Sequence, residues 1–490
     1  MKQKKNKQPE IVTPPKTESK PFISNVFFAV CSGILLFLSF PKYGSGLLAW
    51  IAFIPLFFAL KNATKFSQGL LLGFITGVVS YIGIIYWITY VTVNYGYLPL
   101  YVGIFLMLLL SCYLSLYIAL FAGGVVFLKK RFPLYLTAPV LWICCEYGKS
   151  IIITGFPWEN LGYSQYLNPY LIQFADVAGV WGISLLIVLV NATLFEVIRR
   201  RTKKEYVLAG VVFAVIALIY TYGYFRMAQI DKAVKNSPVI EVSLIQGNIE
   251  QAVKWNDDYQ RETLNIYEEL TLKKSPSPGS LIIWPETAAP FRFQDKNYLH
   301  DRIVNLARAT KSWLLFGSIS LLQREESNKL YNTNYYNSAY LLSPEGEVTG
   351  RYDKVHLVPY GEYVPLRKYM PFVEGFTAGI GDFGKGAGYY PITMNDKKIG
   401  VLICYEVILA EAARAYKNHG AELLVTITND AWFGYTSAPY QHFSMAVFRA
   451  VETRLYLVRS ANTGISGIVD PIGRIVAQTG IYQEDSLKDY

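Results

Sequence analysis

The stretch 399–406 reads Ile-Gly-Val-Leu-Ile-Cys-Tyr-Glu, a short apolar run that ends on polar residues. Such a run, rich in β-branched residues, predicts a buried strand. Cys404 then lies where the strand emerges into a loop, a place where catalytic side chains are common. A second run, Ser-Leu-Ile-Ile-Trp-Pro, ends on Glu286, and a third, Gly-Arg-Tyr-Asp, ends on Lys354. Three reactive side chains are therefore predicted at three strand ends.

Each of these residues also has an ordinary structural interpretation. A free cysteine in an apolar strand is usually core packing, and Glu or Lys beside a turn is usually solvated. Together they suit covalent acyl transfer, because a thiol with a pKa near ~8.5 is mostly protonated at neutral pH and needs a base. We predict Glu286 as general base and Cys404 as nucleophile. Lys354 is predicted to lower the thiol pKa and to stabilise the oxyanion with a backbone N–H near Tyr405.

The sequence around these residues alternates short apolar runs with amphipathic segments, as in a layered α/β domain. Strands are predicted at 240–245, 280–284, 313–318, 335–342, 398–404, 423–428, 455–460 and 467–469. Helices are predicted at 259–273, 298–310, 407–417 and 440–453. Turn sequences at 343–346 and 470–473, Ser-Pro-Glu-Gly and Asp-Pro-Ile-Gly, each connect two strand-like runs.

The first half of the chain is apolar. Of 490 residues, 52% are hydrophobic and only 17% are charged, which favours a membrane protein. Crossing a hydrocarbon core of ~30 Å needs about 20 apolar residues. We predict seven spans, at 22–40, 46–60, 69–91, 98–127, 134–153, 177–198 and 206–224. The first is predicted to be an uncleaved anchor, since it is long for a signal peptide and no small-residue cleavage site follows it.

Three domains follow: a disordered basic cytoplasmic tail at 1–20, a transmembrane helical domain at 21–226 and a catalytic domain at 238–490. Much of the net charge of +10 lies in the tail and in alternate loops. Basic clusters follow the second, fourth and sixth predicted spans, as Lys61 and Lys65, Lys129, Lys130 and Arg131, and Arg199, Arg200, Arg201, Lys203 and Lys204. Because basic loops stay cytoplasmic, the N-terminus is predicted inside and the catalytic domain outside. Topology explains the charge, and no nucleic-acid partner is predicted.

Neither a disulfide nor a cofactor is predicted. Cys404 is the single cysteine of the polar half, so no bridge can form within that domain. The histidines show no metal-ligand spacing, and we expect His356 and His442 to be structural. The glycines of 379–384 match Gly-x-Gly-x-x-Gly, but no strand precedes them and no helix follows. A mobile lid is predicted there instead of a dinucleotide site.

The Trp-Pro-Glu, Asp-Lys-x-His-Leu-Val-Pro-x-Gly-Glu and Cys-Tyr-Glu segments resemble the nitrilase superfamily. Outside them, the resemblance is to the membrane-embedded branch, the apolipoprotein N-acyltransferases. It is carried by 428–434 (Thr-Asn-Asp-Ala-Trp-Phe-Gly), 441–442 (Gln-His), 449–452 (Arg-Ala-Val-Glu), 461–466 (Ala-Asn-Thr-Gly-Ile-Ser) and the Gly-Phe-Pro-Trp loop. The likeness runs from about residue 22 to the end. It implies an α-helical membrane bundle joined to an α/β domain, a four-layer αββα nitrilase-like sandwich.

The resemblance also implies a reaction. In a ping-pong cycle, Cys404 would take an acyl chain from a phospholipid and pass it to the diacylglyceryl-cysteine amine of an apolipoprotein. This is the last step of lipoprotein maturation in the bacterial inner membrane, and we predict a monomeric enzyme. The implied supporting residues are Glu362, Tyr405 and Glu406, and the predicted lipid contacts are Trp432, Phe156 and Trp158. An ordinary interfacial anchor is the alternative for the loop of the last two.

Two other functions stay open. A membrane-anchored amidohydrolase would use water in place of the amine, and the triad alone does not separate the two enzymes. A non-catalytic scaffold is disfavoured because all three reactive positions are intact. Relatives of this family usually continue into a further transmembrane helix, whereas this chain ends in a polar tail at 483–490. We therefore expect the last strand and that helix to be missing.

Overall fold

The structure is a computed structural model, and it describes residues 22–251, 257–324, 332–359, 361–363 and 383–490. The predicted basic tail at 1–20 lies outside these residues, as do Gly379 and Gly381 of the predicted lid.

The first half of the described chain is helical. Its helices are α1 (Phe22–Phe37), α2 (Ile54–Lys61), α3 (Phe66–Ile85), α4 (Trp87–Asn94), α5 (Leu100–Leu128), α6 (Leu134–Ile151), α7 (Pro169–Ile172), α8 (Ala175–Arg200) and α9 (Lys203–Lys235). Each predicted span is helical over most of its length. The second begins as a 3-10 turn, Gly46–Trp50, and the third is interrupted at Tyr86.

Four described helices, α3, α5, α8 and α9, are long and apolar enough to cross a membrane. The predicted helical bundle is confirmed, but the count of seven spans is not. With 16 and 8 residues, α1 and α2 are shorter than the roughly 20 residues a span needs. In α6, Glu146 and Lys149 lower the hydropathy and Pro139 interrupts the hydrogen-bond ladder.

The second half is built on two sheets. The first has the order β13 (Asp485–Asp489), β1 (Val242–Gln246), β2 (Leu281–Ile283), β4 (Trp313–Arg324), β5 (Asn332–Leu342) and β6 (Val348–Asp353), with β3 (Ala289–Arg292) paired to β4. The second has the order β12 (Ile475–Gln478), β11 (Gly467–Val469), β10 (Tyr456–Ala461), β9 (Leu423–Thr428), β8 (Lys397–Ile403) and β7 (Ile392–Met394). All eight predicted strands are present.

Helices cover the outer faces of both sheets. They are α10 (Asp257–Lys274), α11 (Tyr298–Thr310), α12 (Ala410–Asn418) and α13 (Ala438–Thr453), which are the four predicted helices. In β2, Leu281 and Ile283 pack into the core shared with the second sheet, whereas Ile282 packs on the helix side with Leu264 and Ile303. This alternation follows from the two-residue period of a strand. The four-layer αββα sandwich is confirmed.

Helix α13 packs against both halves of the chain. Almost every one of its side chains is buried, because it lies between the second sheet and the helical half. An ion pair also crosses the junction, with Arg454 Nη2 lying 2.7 Å from Asp176 Oδ2. The catalytic half therefore rests directly on the helices.

The prediction that the last strand is missing is wrong. The polar tail forms β13, which pairs antiparallel with β1 and sets Leu487 opposite Leu244. An edge strand can be polar where most of its side chains are partly exposed, and here Leu487 packs against the core.

Candidate active site

Glu286, Lys354 and Cys404 lie at the ends of β2, β6 and β8, where the two sheets face each other. Lys354 Nζ is 3.9 Å from Glu286 Oε1. Both charged groups also act electrostatically on the Cys404 thiol. Residues from three separate runs of sequence are thus brought to one edge of the sandwich.

Two carboxylates, those of Glu362 and Glu286, lie beside the Lys354 ammonium. The ammonium donates to Glu362 at 2.9 Å. Asn337 Nδ2 donates to Glu286 Oε1 at 2.7 Å and to Glu362 Oε1 at 2.9 Å, and so ties the two acids together. Burial lowers the pKa of Lys354, but Glu362 and Glu286 raise it by more, so the net shift is upward. Lys354 is therefore a buried cation at neutral pH.

Asn337 was not predicted from the sequence. It is a buried amide in β5, a strand with several other polar residues, so nothing in the local sequence singles it out. The N–H donors of a buried amide need acceptors, and those acceptors are here the two carboxylates.

Glu286 is held by backbone as well as by side chains. Its Oε2 accepts the backbone N–H of Asn429 at 2.9 Å. The turn that carries it packs so closely on β4 that a Cβ added to Gly317 would lie 2.7 Å from Glu286 Cα. Close packing of this kind leaves the carboxylate little freedom to move.

Cys404 begins a 3-10 turn, Cys404–Ile408, directly after β8. Its φ of 54° lies in the left-handed region, which a residue with a side chain adopts where its surroundings hold it. Burial and the Glu286 carboxylate raise the pKa of the thiol, and Lys354 lowers it by less. The predicted effect of Lys354 on the thiol pKa is present, but the net shift is upward. The thiol is protonated at neutral pH and needs a base to react.

Glu406 is fully buried. Its two oxygens accept hydrogen bonds from Tyr352 Oη and from the backbone N–H groups of Val355, His356 and Ile403, at 2.8 to 3.0 Å. Burial raises the pKa of Glu406 to about 7 despite these donors. Its neighbour Tyr405 is half-buried, and its ring stacks on His356 with 5.7 Å between the ring centroids.

The predicted lipid contacts have different surroundings. Trp432 is 38% exposed and packs edge-on against Tyr95. Trp158 is fully buried, and its indole N–H donates to Gln441 of α13 at 2.8 Å. Phe156 is half-buried beside Trp158, with 6.2 Å between the ring centroids. Of the three side chains, that of Trp432 is the most exposed.

Within the part of the chain that the structure describes, no group of three or more His, Cys, Asp and Glu side chains is placed to hold a metal ion. The histidines are paired with other groups. His356 stacks on Tyr405, and His442 lies in a buried cluster with Asp430.

The two halves of the chain match two family models. Residues 241–487 match the carbon-nitrogen hydrolase family, and residues 32–193 match the apolipoprotein N-acyltransferase N-terminal domain. The sandwich with its Glu, Lys and Cys therefore belongs to the carbon-nitrogen hydrolase class of proteins. Within that class, the chain belongs to the apolipoprotein N-acyltransferase family.

Two relatives support this assignment, and both are named apolipoprotein N-acyltransferase. The protein of Geobacter metallireducens is 47% identical over 465 residues, which cover 94% of this chain and 88% of the relative. That of Pasteurella multocida is 32% identical over 478 residues, covering 95% and 89%. Among solved structures, the carbon-nitrogen hydrolase from Helicobacter pylori G27 is 19% identical over 51% of this chain and 87% of its own, with a TM-score of 0.37.

Proposed function

We propose that this chain N-acylates the N-terminal diacylglyceryl-cysteine of apolipoproteins, with a phospholipid as acyl donor and a Cys404 thioester as intermediate. The observation that carries the proposal is the proximity of a thiol, a carboxylate and a buried ammonium in a chain whose other half holds four helices of membrane-spanning length. The names of the relatives point to the same activity.

The first half-reaction forms the thioester. Glu286 takes the proton of the Cys404 thiol, and the sulfur attacks the ester carbonyl carbon of the phospholipid. Lys354 and the backbone N–H of Tyr405 stabilise the resulting oxyanion. When the oxyanion collapses, the ester C–O bond breaks, and the lysophospholipid leaves with the proton held by Glu286.

The second half-reaction forms the amide. The α-amino group of the lipoprotein cysteine attacks the thioester carbonyl, and Glu286 takes one of its protons. The C–S bond then breaks, the amide is released, and the Cys404 sulfur regains a proton from Glu286. A membrane-anchored amidohydrolase would use water at this step, and the relatives do not favour that alternative.

The supporting residues act through position and charge. Glu362 holds the Lys354 ammonium, with 2.9 Å between nitrogen and oxygen. Glu406 holds the turn after Cys404, and Tyr405 supplies the backbone donor to the oxyanion. We assign these roles on the hydrogen bonds of each group and on the need for preorganised donors in acyl transfer.

Lipid enters the site from the side of the helices. Trp432 is the exposed aromatic contact for the acyl chains, and Phe156 and Trp158 are the further lipid contacts proposed on the helical half. Aromatic side chains with partial exposure suit the boundary between a membrane and water.

The catalytic half lies outside the cytoplasm, and the chain resides in the bacterial inner membrane as a monomer. Hydrogen bonds between the halves join Tyr86 to Ser437, Tyr95 to Ala431 and Trp158 to Gln441. The loops that make these bonds contain few basic residues, whereas the basic clusters follow α2, α5 and α8. The rule that basic loops stay inside supports this orientation. A tail at 1–20, a membrane domain at 21–226 and a catalytic domain at 238–490 complete the proposed organisation.

The test is the intact mass of the purified chain after incubation with phospholipid, with Cys404→Ala as the matched control. We expect a gain of one acyl chain that hydroxylamine removes and that the variant lacks. Added diacylated lipopeptide should then become triacylated. Release of free fatty acid alone would support the amidohydrolase, and a folded natural chain without any adduct would overturn the proposed thioester.

A further inference from the structure

A buried charged cluster lies beneath the nucleophile. Asp430, His442 and Arg459 have no exposed surface. Arg459 Nη2 donates to Asp430 Oδ2 at 2.7 Å, and Thr428 Oγ1 donates to Asp430 Oδ1 at 2.9 Å. A buried ion pair is by itself weak evidence for stability, because desolvation offsets its attraction. Stability alone therefore does not explain this cluster, and we ask which neighbouring group it holds in place.

The cluster ends on the backbone of Cys404. His442 Nε2 lies 3.2 Å from the Cys404 carbonyl oxygen. A carbonyl oxygen only accepts hydrogen bonds, so this contact requires a proton on Nε2. On the other side of the ring, Nδ1 lies 3.0 Å from Arg459 Nη2 and 3.0 Å from Asp430 Oδ1.

The surroundings of His442 select one tautomer. Burial and the charge of Arg459 lower the pKa of His442, so the ring is neutral and carries a single N–H. With that proton on Nε2, Nδ1 accepts from the Arg459 guanidinium, which Asp430 holds in place. Arg459 on one side of the ring and the Cys404 carbonyl on the other thus set the direction of the ring and place its proton on Nε2, while Asp430 holds the guanidinium.

The Cys404 carbonyl and the Tyr405 N–H belong to one planar peptide and point in opposite directions. A side chain that holds the carbonyl therefore also aims the N–H. On the other flank, Glu406 Oε2 accepts the N–H of Ile403 at 2.8 Å. The Cys404–Tyr405 peptide is then held by His442, and the Leu402–Ile403 peptide, one further back along the chain, is held by Glu406.

We infer that His442 is a positioning residue, which holds the Cys404 carbonyl so that the Tyr405 N–H faces the oxyanion of the tetrahedral intermediate. The inference rests on the proposed function, since only acyl transfer develops that oxyanion. On this inference the buried Asp430 and Arg459 do more than fill the core, because they orient the ring of His442.

Replacing His442 by smaller polar side chains separates its positioning role from simple packing. The ring of His442 lies against Trp158 and Phe433, with centroid distances of 5.7 Å and 6.0 Å, so truncation would leave a cavity. In His442→Gln the amide nitrogen reaches the place of Nε2. In His442→Asn it reaches only the place of Nδ1 and leaves the Cys404 carbonyl without its donor.

The experiment measures two reactions of Cys404 in the natural chain and in both variants. The first is single-turnover thioester formation with phospholipid vesicles, followed by intact mass. The second is alkylation by iodoacetamide, located at Cys404 by peptide mass. Alkylation displaces iodide at a saturated carbon and develops no oxyanion. We expect His442→Asn to slow thioester formation by roughly 10²-fold, the size of effect seen on loss of an oxyanion donor. His442→Gln should stay within about tenfold of the natural chain, and both variants should be alkylated at the natural rate.

Equal thioester formation in the natural chain and His442→Asn would overturn the inference. Equal losses of alkylation and thioester formation would do the same, because they would assign His442 to the thiol or to the fold. A natural chain that is alkylated but forms no thioester would instead contradict the proposed function. If His442→Asn fails to fold, Arg459→Lys is measured in its place, since it keeps the charge and loses the guanidinium that sets the ring. The same selective loss is expected of it.

Discussion

The carboxylate of Glu406 accepts the backbone N–H of Val355 at 2.8 Å, although 51 residues separate the two. Val355 directly follows Lys354, and Glu406 lies two residues after Cys404. The other oxygen of Glu406 accepts the N–H of Ile403, just before the nucleophile. One side chain therefore ties the residue after Lys354 to the residue before Cys404.

Glu406→Gln tests this link. The substitution replaces one acceptor oxygen by an NH₂ group that faces backbone N–H donors, so we expect a loss of stability of about 1–3 kcal/mol. Thioester formation should also fall by at least ~10-fold, because Lys354 and Cys404 lose their common anchor. Thermal unfolding and intact mass measure the two effects. Glu422→Gln, at an exposed position paired with Lys397, is the matched control and should change neither.

Gly317→Ala tests how tightly Glu286 is packed. The added Cβ would lie 2.3 Å from the Thr287 nitrogen and 2.7 Å from Glu286 Cα, so the turn that carries the base must move. We expect thioester formation to slow by about 10²-fold, since a small displacement of a catalytic group has effects of this size. Gly210→Ala, where nothing lies within 4 Å of the added carbon, is the control. Activity equal to that of the control would contradict close packing at Glu286.

The pH dependence of Cys404 alkylation tests the state of the thiol. Burial and Glu286 raise the thiol pKa, so the thiolate fraction at neutral pH is smaller than in a free cysteine. The rate of alkylation by iodoacetamide should rise about tenfold per pH unit and show no plateau below pH ~9. Glu286→Gln removes a negative charge from the site and should shift the curve to lower pH. Cys404→Ala gives the background from the other cysteines. A plateau near pH 7 in the natural chain would mean that Lys354 dominates the thiol pKa.

Trp158 and Trp432 should differ in what they support. Trp158 is buried between the two halves and bonded to Gln441, so Trp158→Ala should destabilise the protein by ~3–5 kcal/mol. Trp432 is 38% exposed, so Trp432→Ala should leave the unfolding temperature unchanged and raise the KM for phospholipid. Denaturant unfolding and steady-state kinetics on lipid vesicles separate the two effects. A Trp432→Ala variant with natural KM would remove this residue from the lipid contacts.

Much of the catalytic half follows from local patterns. The runs that end on Glu286 and Cys404 identify β2 and β8, because a short apolar run reads directly as a buried strand. The polar tail at β13 was missed for the same reason, since its sequence lacks an apolar run and it becomes a strand only by pairing with β1. The number of spans also could not be predicted from the sequence. Whether a membrane span can contain the charged Glu146 and Lys149 depends on the residues that surround them in the fold.

The sequence by itself determined the class of fold and the apolar helical half and predicted three reactive side chains, since strand periods, span lengths and short motifs are properties of neighbouring residues. Only the tertiary structure decided that Asn337 joins two carboxylates, that Glu406 binds the backbone beside both Lys354 and Cys404, and that His442 meets the Cys404 carbonyl. These contacts join positions far apart in the chain. The packing of two sheets and four helices brings them within hydrogen-bond distance, and a pattern along the sequence carries no record of that packing.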